Sequence, residues 1–143
     1  MAKAQMMLPE EYLRRLSKLG DRQDEIAEKV LEAGGKVVLE KVRSNLSAVV
    51  GKGTKYPSRS TGELVSSLGL SSVKRDRNGN SNIKVGFAEP RSDGGSNAKL
   101  ANIIEYGRHG QPPHPFLKPA KSASKAACEE AMKAKFEEEV GKL

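Results

Sequence analysis

The fold class is decided by residues 78–87, which read NGNSNIKVGF. The pair Asn78-Gly79 is typical of a type I′ hairpin turn, because both central positions of that turn need a positive φ angle. After the turn, Ile83, Val85 and Phe87 alternate with polar residues or glycine, which is the period of a strand with one apolar face. This stretch therefore predicts an antiparallel hairpin that packs one face against the rest of the protein.

Two helical patterns precede the hairpin. Residues 9–19 place apolar side chains at helical spacing before Gly20, and residues 21–46 form a longer pattern whose first residue is a capping aspartate. Gly34 and Gly35 fall in the middle of the longer pattern, where each costs about 1 kcal/mol relative to alanine. We therefore expect the long helix either to kink there or to pack closely against another backbone.

Two more helical patterns follow the hairpin. Residues 98–106 form a short pattern that Gly107 ends, and four prolines between residues 110 and 119 favour an extended segment. Pro119 suits the first turn of a last helix, because its missing N–H needs no partner there. The apolar stripe predicted for that helix consists of Phe116, Ala120, Ala123, Ala127, Ala131 and Ala134. The whole pattern predicts an α+β fold, in which a long N-terminal helix and a C-terminal helix pack on a small antiparallel sheet with an Asn-Gly hairpin.

We interpret residues 1–143 as a single domain. Residues 1–20 form an N-terminal segment with a short helix, residues 47–61 and 89–97 form mobile loops, and residues 137–143 are expected to fray because glutamates there oppose the helix dipole. Only 36% of the residues are hydrophobic and 4% are aromatic, so the core is thin. Association with other copies would help to stabilise it.

The sequence contains neither a secretory signal pattern nor an apolar run of membrane-spanning length. Its single cysteine, Cys128, allows no internal disulfide and suits a reducing compartment. These features predict a cytoplasmic product without a membrane partner.

Residues that could support catalysis or bind a cofactor are few. His109, His114 and Cys128 match no established zinc spacing, and no third group is placed to orient a Cys-His pair. Residues 51–54, GKGT, resemble part of a phosphate-binding loop, but Ser47 stands where the full motif requires glycine. The sequence therefore predicts no enzyme activity, no cofactor and no metal.

Most of the net charge of +7 lies between residues 51 and 84. This segment contains seven basic and two acidic residues, so its net charge is +5. Such a segment can contact an acidic protein or the phosphates of DNA, or it can form a merely solvated surface. Tyr56 is its only aromatic residue, which argues against sequence-specific reading of bases. The candidate basic patch consists of Lys52, Lys55, Arg59, Lys74, Arg75 and Arg77.

Three short segments resemble a family of tailed-phage morphogenesis proteins, described as head-tail joining, neck, tail-completion or minor tail components. These segments are residues 61–68, TGELVSSL, residues 101–107, ANIIEYG, and residues 113–120, PHPFLKPA. Many members have a threonine after the Glu-aromatic-Gly element, whereas Arg108 stands here. The motif residues are Thr61, Gly62, Leu64, Leu68, Glu105, Tyr106, Gly107, Pro115, Phe116 and Pro119.

The resemblance implies a structural subunit of the virion that is made in the host cytoplasm. It implies a ring of identical copies at the junction of capsid and tail, with neighbouring head-completion or tail proteins as partners and non-specific contact with DNA in the channel. The alternative is a small basic protein that binds DNA or assists its packaging, which the positive central segment motivates.

The same residues have structural interpretations that do not depend on the family. Thr61 is suited to cap a helix that aims apolar residues at the core, and Phe116 to fill the space against the sheet or the long helix. Glu105 lies near a helix end, where a carboxylate is unfavourable unless it is paired. We therefore expect Glu105 to have a partner such as Arg108 or a backbone N–H.

Overall fold

The structure is a computed structural model that describes residues 10–50, 62–89 and 94–143. It confirms the α+β fold with long helices near both ends and small antiparallel sheets between them. In chain order the elements are α1 (Glu10–Asp21), α2 (Gln23–Val49), α3 (Glu63–Ser67), β1 (Leu68–Leu70), β2 (Lys74–Arg75), β3 (Ser81–Asn82), β4 (Val85–Phe87), α4 (Asn97–Tyr106) and α5 (Leu117–Gly141).

The boundary between the first two helices differs from the predicted one. Gly20 lies inside α1 rather than ending it, and the aspartate at position 21 is the last residue of α1 rather than the cap of α2. Arg22 occupies the capping position of α2 and makes no capping hydrogen bond with its side chain. Its guanidinium instead bonds the carboxylate of Glu25 in the first turn of α2. Acidic residues in that turn favour the helix start through the helix dipole.

The long helices α2 and α5 pack against each other in antiparallel orientation. Near one end Lys29 pairs with Glu139, and near the other the amide of Asn45 donates to the carbonyl oxygen of Phe116 at 3.2 Å. The two helices therefore form one layer, and the small sheet and α4 pack around it.

Gly34 and Gly35 allow two different neighbours to approach α2. A Cβ atom at Gly34 would lie 2.6 Å from Cγ of Met132 in α5, and one at Gly35 would lie 3.1 Å from Cδ2 of Leu70 in β1. The two glycines do not interrupt α2, which is a continuous helix from Gln23 to Val49. The atoms nearest to the two glycines belong to side chains of α5 and of the hairpin region.

Replacing Gly34 by leucine is expected to lower the free energy of unfolding by about 1–3 kcal/mol, because the larger side chain overlaps Met132. A matched control is Gly20→Ala in α1, where nothing lies within 4 Å of the added Cβ. That change should stabilise by about 0.5–1 kcal/mol, since alanine favours helix more than glycine. Urea denaturation measures both, and equal effects of the two variants would contradict the packing of α2 on α5.

The predicted hairpin is present, but its turn is of another type. Strands β2 and β3 pair antiparallel, with Lys74 opposite Asn82. Within this turn only Gly79 has a positive φ, so the turn is not type I′. The carboxylate of Asp76 explains the difference, because its Oδ1 accepts the N–H groups of Asn78 and Asn80 at 2.8 and 2.9 Å. This side chain holds the turn in a shape that needs one left-handed residue rather than two.

The return strand is divided, and its second half pairs with a different strand. Strand β4 pairs antiparallel with β1, with Leu68 opposite Phe87 and Leu70 opposite Val85. Between β3 and β4 the backbone N–H of Lys84 donates to the hydroxyl of Ser71 at 2.9 Å. The predicted alternation holds across this break, because the apolar side chains are half-buried while Lys84 is exposed.

The buried core lies where α2, α4, α5 and the β1–β4 sheet meet, and it includes Val42, Leu46, Leu64, Leu68, Ala101, Phe116 and Ala120. On α5 the predicted stripe is correct at Phe116 and Ala120, which are buried, and Ala131 is half-buried, but Ala123, Ala127 and Ala134 are exposed. Ser124, Cys128 and Met132 point inward instead, since the groove at the α2 glycines accepts these larger side chains.

The end of α5 also differs from the expected frayed segment, because the helix continues to Gly141 and Glu139 is buried. Within the described ranges, no helix is long and apolar enough to cross a membrane. The predicted loop residues 51–61 and 90–93 lie outside the described residues, whereas residues 47–49 belong to α2.

Candidate functional site

Glu105 connects the end of α4 to the start of α5. It is 4% exposed, and both oxygens of its carboxylate accept hydrogen bonds from backbone N–H groups of the segment that begins α5. Oε2 accepts from Phe116 at 2.7 Å and from Leu117 at 2.9 Å, while Oε1 accepts from Lys118 at 3.0 Å. A residue of one helix therefore caps another helix.

This single carboxylate satisfies the start of α5 completely. The first N–H groups of a helix have no partner within the helix and need one from outside. Three of them bond Glu105, the next residue is Pro119, which has no N–H, and Ala120 bonds the carbonyl oxygen of Phe116. The negative charge also favours this position through the helix dipole. Of the two partners expected for Glu105, the backbone N–H groups are therefore confirmed.

Gly107 and the turn after it place Glu105 against α5. The φ angle of Gly107 is 75°, and an added Cβ would lie 2.8 Å from the carbonyl oxygen of Gln111. Arg108 and Gln111 form an antiparallel bridge, and Nε of Arg108 donates to Oε1 of Gln111 at 3.1 Å. Arg108 thus bonds within the turn rather than to Glu105. The N–H of His114 then donates to the carbonyl oxygen of Ile104 at 2.7 Å and closes the connection.

Phe116 anchors the same junction in the core. Its side chain is 0% exposed, and its ring meets that of Phe87 edge to face with centroids 6.4 Å apart. This arrangement is favourable for two aromatic rings. The contact links the start of α5 to β4, as expected of a residue that fills the space beside the sheet.

The hydrogen bonds to Glu105 also control its ionisation. Burial by itself would raise the pKa of the Glu105 carboxyl, but the N–H donors of Leu117, Phe116 and Lys118, together with the charge of Lys118, hold the pKa below its ordinary value of 4.5. The carboxylate is therefore the form that the fold stabilises.

The protein is expected to lose stability as the pH falls below 4.5. Because the pKa of Glu105 is lower in the folded state, its contribution is complete above the unfolded value and is lost as the pH falls through the folded one. Glu105→Gln should therefore flatten the loss of unfolding free energy between pH 5 and 3, as measured by urea denaturation. The exposed Glu137→Gln is the control, and identical acid profiles for the two variants would refute the role of Glu105.

The other motif residues divide into buried and exposed ones. Leu64 and Leu68 are each 5% exposed and belong to the core, while Gly62 has a φ angle of 79° directly before α3. Pro115 is exposed, and Tyr106 is 76% exposed. Thr61 lies outside the described residues. The structure thus brings Glu105, Gly107, Phe116 and Pro119 together, whereas Tyr106 points outward.

The described part of the candidate basic patch lies on the hairpin. Lys74, Arg75 and Arg77 are exposed, and the guanidinium of Arg75 bonds the carboxylate of Asp24 on α2. Lys74 and Arg77 make no ion pair with the described residues. The other three members, Lys52, Lys55 and Arg59, lie outside the described residues.

Two polar side chains that the sequence reasoning missed also fix the helices. Asn97 is 1% exposed, and its amide donates to the carbonyl oxygen of Ala88 at 2.7 Å. Glu139 accepts from Lys29 of α2 and from Lys142 of α5. Burial alone would raise the pKa of Glu139, but these lysines hold it below its ordinary value. The sequence places a lysine four residues before Glu139 and another three after it, which is the spacing of ion pairs in a helix and could have indicated that Glu139 is paired.

No group of three or more histidine, cysteine or acidic side chains converges on a metal-sized site within residues 10–50, 62–89 and 94–143. The site that these elements build consists of backbone hydrogen bonds, a buried aromatic contact and one outward aromatic residue. Its geometry gives the motif residues a structural role, because they position one helix against another.

The comparisons with known proteins identify the family. The model of the HK97-gp10-like family, described as "Bacteriophage HK97-gp10, putative tail-component", matches residues 10–107, which is more than half of the chain. The chain belongs to this family of phage tail and head-tail components, and its place is therefore in the virion. The match covers the first two motif segments but not residues 113–120. No curated protein and no solved structure matches the chain significantly.

Proposed function

We propose that this protein is a head-tail joining or tail-completion subunit that assembles with copies of itself into a ring at the junction of capsid and tail. Neighbouring head-completion or tail proteins would bind the two faces of that ring. The family supports the location, and an open sheet edge supports the assembly.

The observation that carries the assembly is the outer edge of the two-stranded sheet. The N–H of Ser71 donates to the carbonyl oxygen of Lys84, and the N–H of Ala88 donates to that of Ser67. These two bonds show which residue pairs of β1 and β4 are hydrogen-bonded to each other. By the alternation of antiparallel pairs, Val85 and Phe87 direct their N–H and C=O groups away from β1. These groups have no hydrogen-bond partner among the described residues.

Free strand edges are places where a second chain can add. Exposed apolar side chains on the helices also support assembly, since Leu13 is 48%, Leu16 44% and Phe136 45% exposed. These side chains are about half exposed and the edge has no second strand partner among the described residues, whereas a ring would cover at least part of both. The structural class of the family agrees with a role that needs no catalytic residues.

The mass of the purified protein tests this proposal. We expect light scattering over a wide concentration range to give a discrete multiple of 15.5 kDa, the mass of one chain. A protein that stays monomeric at every concentration and salt would contradict a self-assembling ring, although it would leave the family assignment unchanged.

We also propose that basic side chains of the hairpin contact DNA as it passes through the ring, without reading its sequence. Lys74 and Arg77 are exposed and free of ion pairs within the described ranges, which supports this second candidate role. DNA affinity should fall steeply with salt and should weaken in the Lys74→Glu/Arg77→Glu variant. The exposed Lys121→Glu change is the control, and absence of DNA binding at low salt would end the proposal.

A further inference from the structure

Tyr106 is a mostly exposed aromatic residue between two residues that the fold of its own chain holds in place. Glu105 caps α5, and Gly107 occupies a conformation and a space that no other residue suits. The Tyr106 side chain between them is 76% exposed. A large aromatic side chain that is held outward by such neighbours is suited to contact another molecule.

The turn that follows Tyr106 is rigid. The backbone N–H groups of Arg108 and Gln111 donate to each other's carbonyl oxygens at 3.0 and 2.8 Å, and their side chains bond as well. A preorganised turn loses little conformational entropy on binding. Tyrosine and arginine are also the residue types that most often dominate the energy of protein interfaces. We name Tyr106, Arg108 and His109 the Tyr106 turn.

The charge of the Tyr106 turn indicates the partner's chemistry. Arg108 is exposed, and among the described residues its side chain bonds only the neutral amide of Gln111. His109 is exposed beside it, and the sequence from Tyr106 to Pro119 contains no acidic residue. The turn therefore carries an uncompensated positive charge beside an aromatic ring and fits an acidic surface.

The same chain carries an acidic surface of this kind on α2. Glu28 and Glu32 lie one helical turn apart, are exposed, and make no ion pair with the described residues. Like charges at this spacing are mildly unfavourable in a helix, so a cation from outside would stabilise them. Asp24, one turn earlier, is already paired with Arg75 of the hairpin.

The Tyr106 turn and this acidic pair lie at opposite ends of α2. Asn45 near the end of α2 bonds the carbonyl oxygen of Phe116, which places the Tyr106 turn near that end. Glu32 and Glu28 come 13 and 17 residues earlier in the same continuous helix, which is about 20–25 Å along its axis at 1.5 Å per residue. A surface at one end that complements a surface at the other joins copies head to tail. Contacts of this kind close into rings when the rotation between neighbours allows it.

We propose that the Tyr106 turn of one copy docks on Glu28 and Glu32 of the next copy, and that this contact repeats around the ring in addition to any pairing at the strand edge. The inference rests on the proposed ring, and it names the two surfaces that meet. Tyr106 supplies the apolar contact, while Arg108 pairs with the glutamates.

Charge reversal tests the contact. In light scattering of the full chain, Arg108→Glu and the double variant Glu28→Arg/Glu32→Arg should each weaken association at least about tenfold, because like charges then face each other. Combining the three changes in one chain should restore the mass of the wild-type assembly. Tyr106→Ser should also weaken association, whereas Tyr106→Phe keeps the aromatic ring and should retain it. Lys121→Glu and Glu129→Arg/Glu130→Arg are controls for the charge changes, since these residues are exposed and unpaired within the described ranges.

The outcomes separate the contact from the ring itself. If the wild type assembles and the Arg108→Glu and Tyr106→Ser variants assemble equally well, the contact is refuted and the ring stands. If the wild type never assembles, the ring is refuted and the contact with it. Thermal unfolding by circular dichroism confirms that each variant is folded, which is expected because all changed side chains are exposed.

Discussion

Glu105→Ala is expected to lower the free energy of unfolding by about 3 kcal/mol, one of the two largest effects of a single substitution in this protein. The change leaves the backbone N–H groups of Phe116, Leu117 and Lys118 without their carboxylate partner, the first in a buried place and the other two in partly buried ones. Each buried donor without a partner costs about 1 kcal/mol or more. Chemical denaturation in urea at pH 7 measures the loss.

The exposed Glu137→Ala change on α5 is the matched control, because its carboxylate has no partner among the described residues and its loss should change stability by less than about 0.5 kcal/mol. Glu105→Gln should lie between the two, since an amide retains one accepting oxygen. If Glu105→Ala cost no more than Glu137→Ala, the capping of α5 by α4 would be disproved.

Phe116→Ala is expected to lower the free energy of unfolding by about 3–5 kcal/mol, the usual range for removing a fully buried aromatic side chain. The substitution opens a cavity between α5 and β4 and removes the edge-to-face contact with Phe87. Thermal and urea unfolding should both report the change, and the midpoint of the urea transition should fall without a change in its slope.

Phe136→Ala is the control for this prediction, because Phe136 lies on the same helix but is 45% exposed. It should cost clearly less, since about half of its side chain is already in water. Equal losses for the two phenylalanines would mean that Phe116 is not the anchor of the junction.

The parts of the fold that depend on short patterns were predictable from the sequence. Alternation of Ile83, Val85 and Phe87 gave the strand with one apolar face, and Gly107 gave the end of α4. Asn78-Gly79 correctly predicted a hairpin but not its turn type. That type depends on the carboxylate of Asp76, which accepts two backbone N–H groups two and four residues further on.

Features that depend on distant contacts were not predictable in detail. Alanine content suggested a stripe of α5 that is only partly correct, because the inward positions are determined by the space that Gly34 leaves for Cys128 and Met132. At the junction, the sequence required a partner for Glu105, and backbone N–H groups were one of the expected kinds. It did not indicate that the donors belong to the next helix. The path of the proline-rich segment between Glu105 and α5 could not be predicted from the sequence. The exposure of Tyr106 likewise depends on how the turn packs.

The pairing of α2 with α5 has a consequence for synthesis of the chain on the ribosome. Lys29 and Glu139 are 110 residues apart in sequence, yet they bond each other across the two helices. At translation rates of about 5–20 residues per second, α2 emerges roughly 5–20 s before the end of its partner helix is made. During that interval its apolar stripe has no cover from α5, and such exposed apolar surface is prone to aggregate. Folding is completed only after the last helix has left the ribosome.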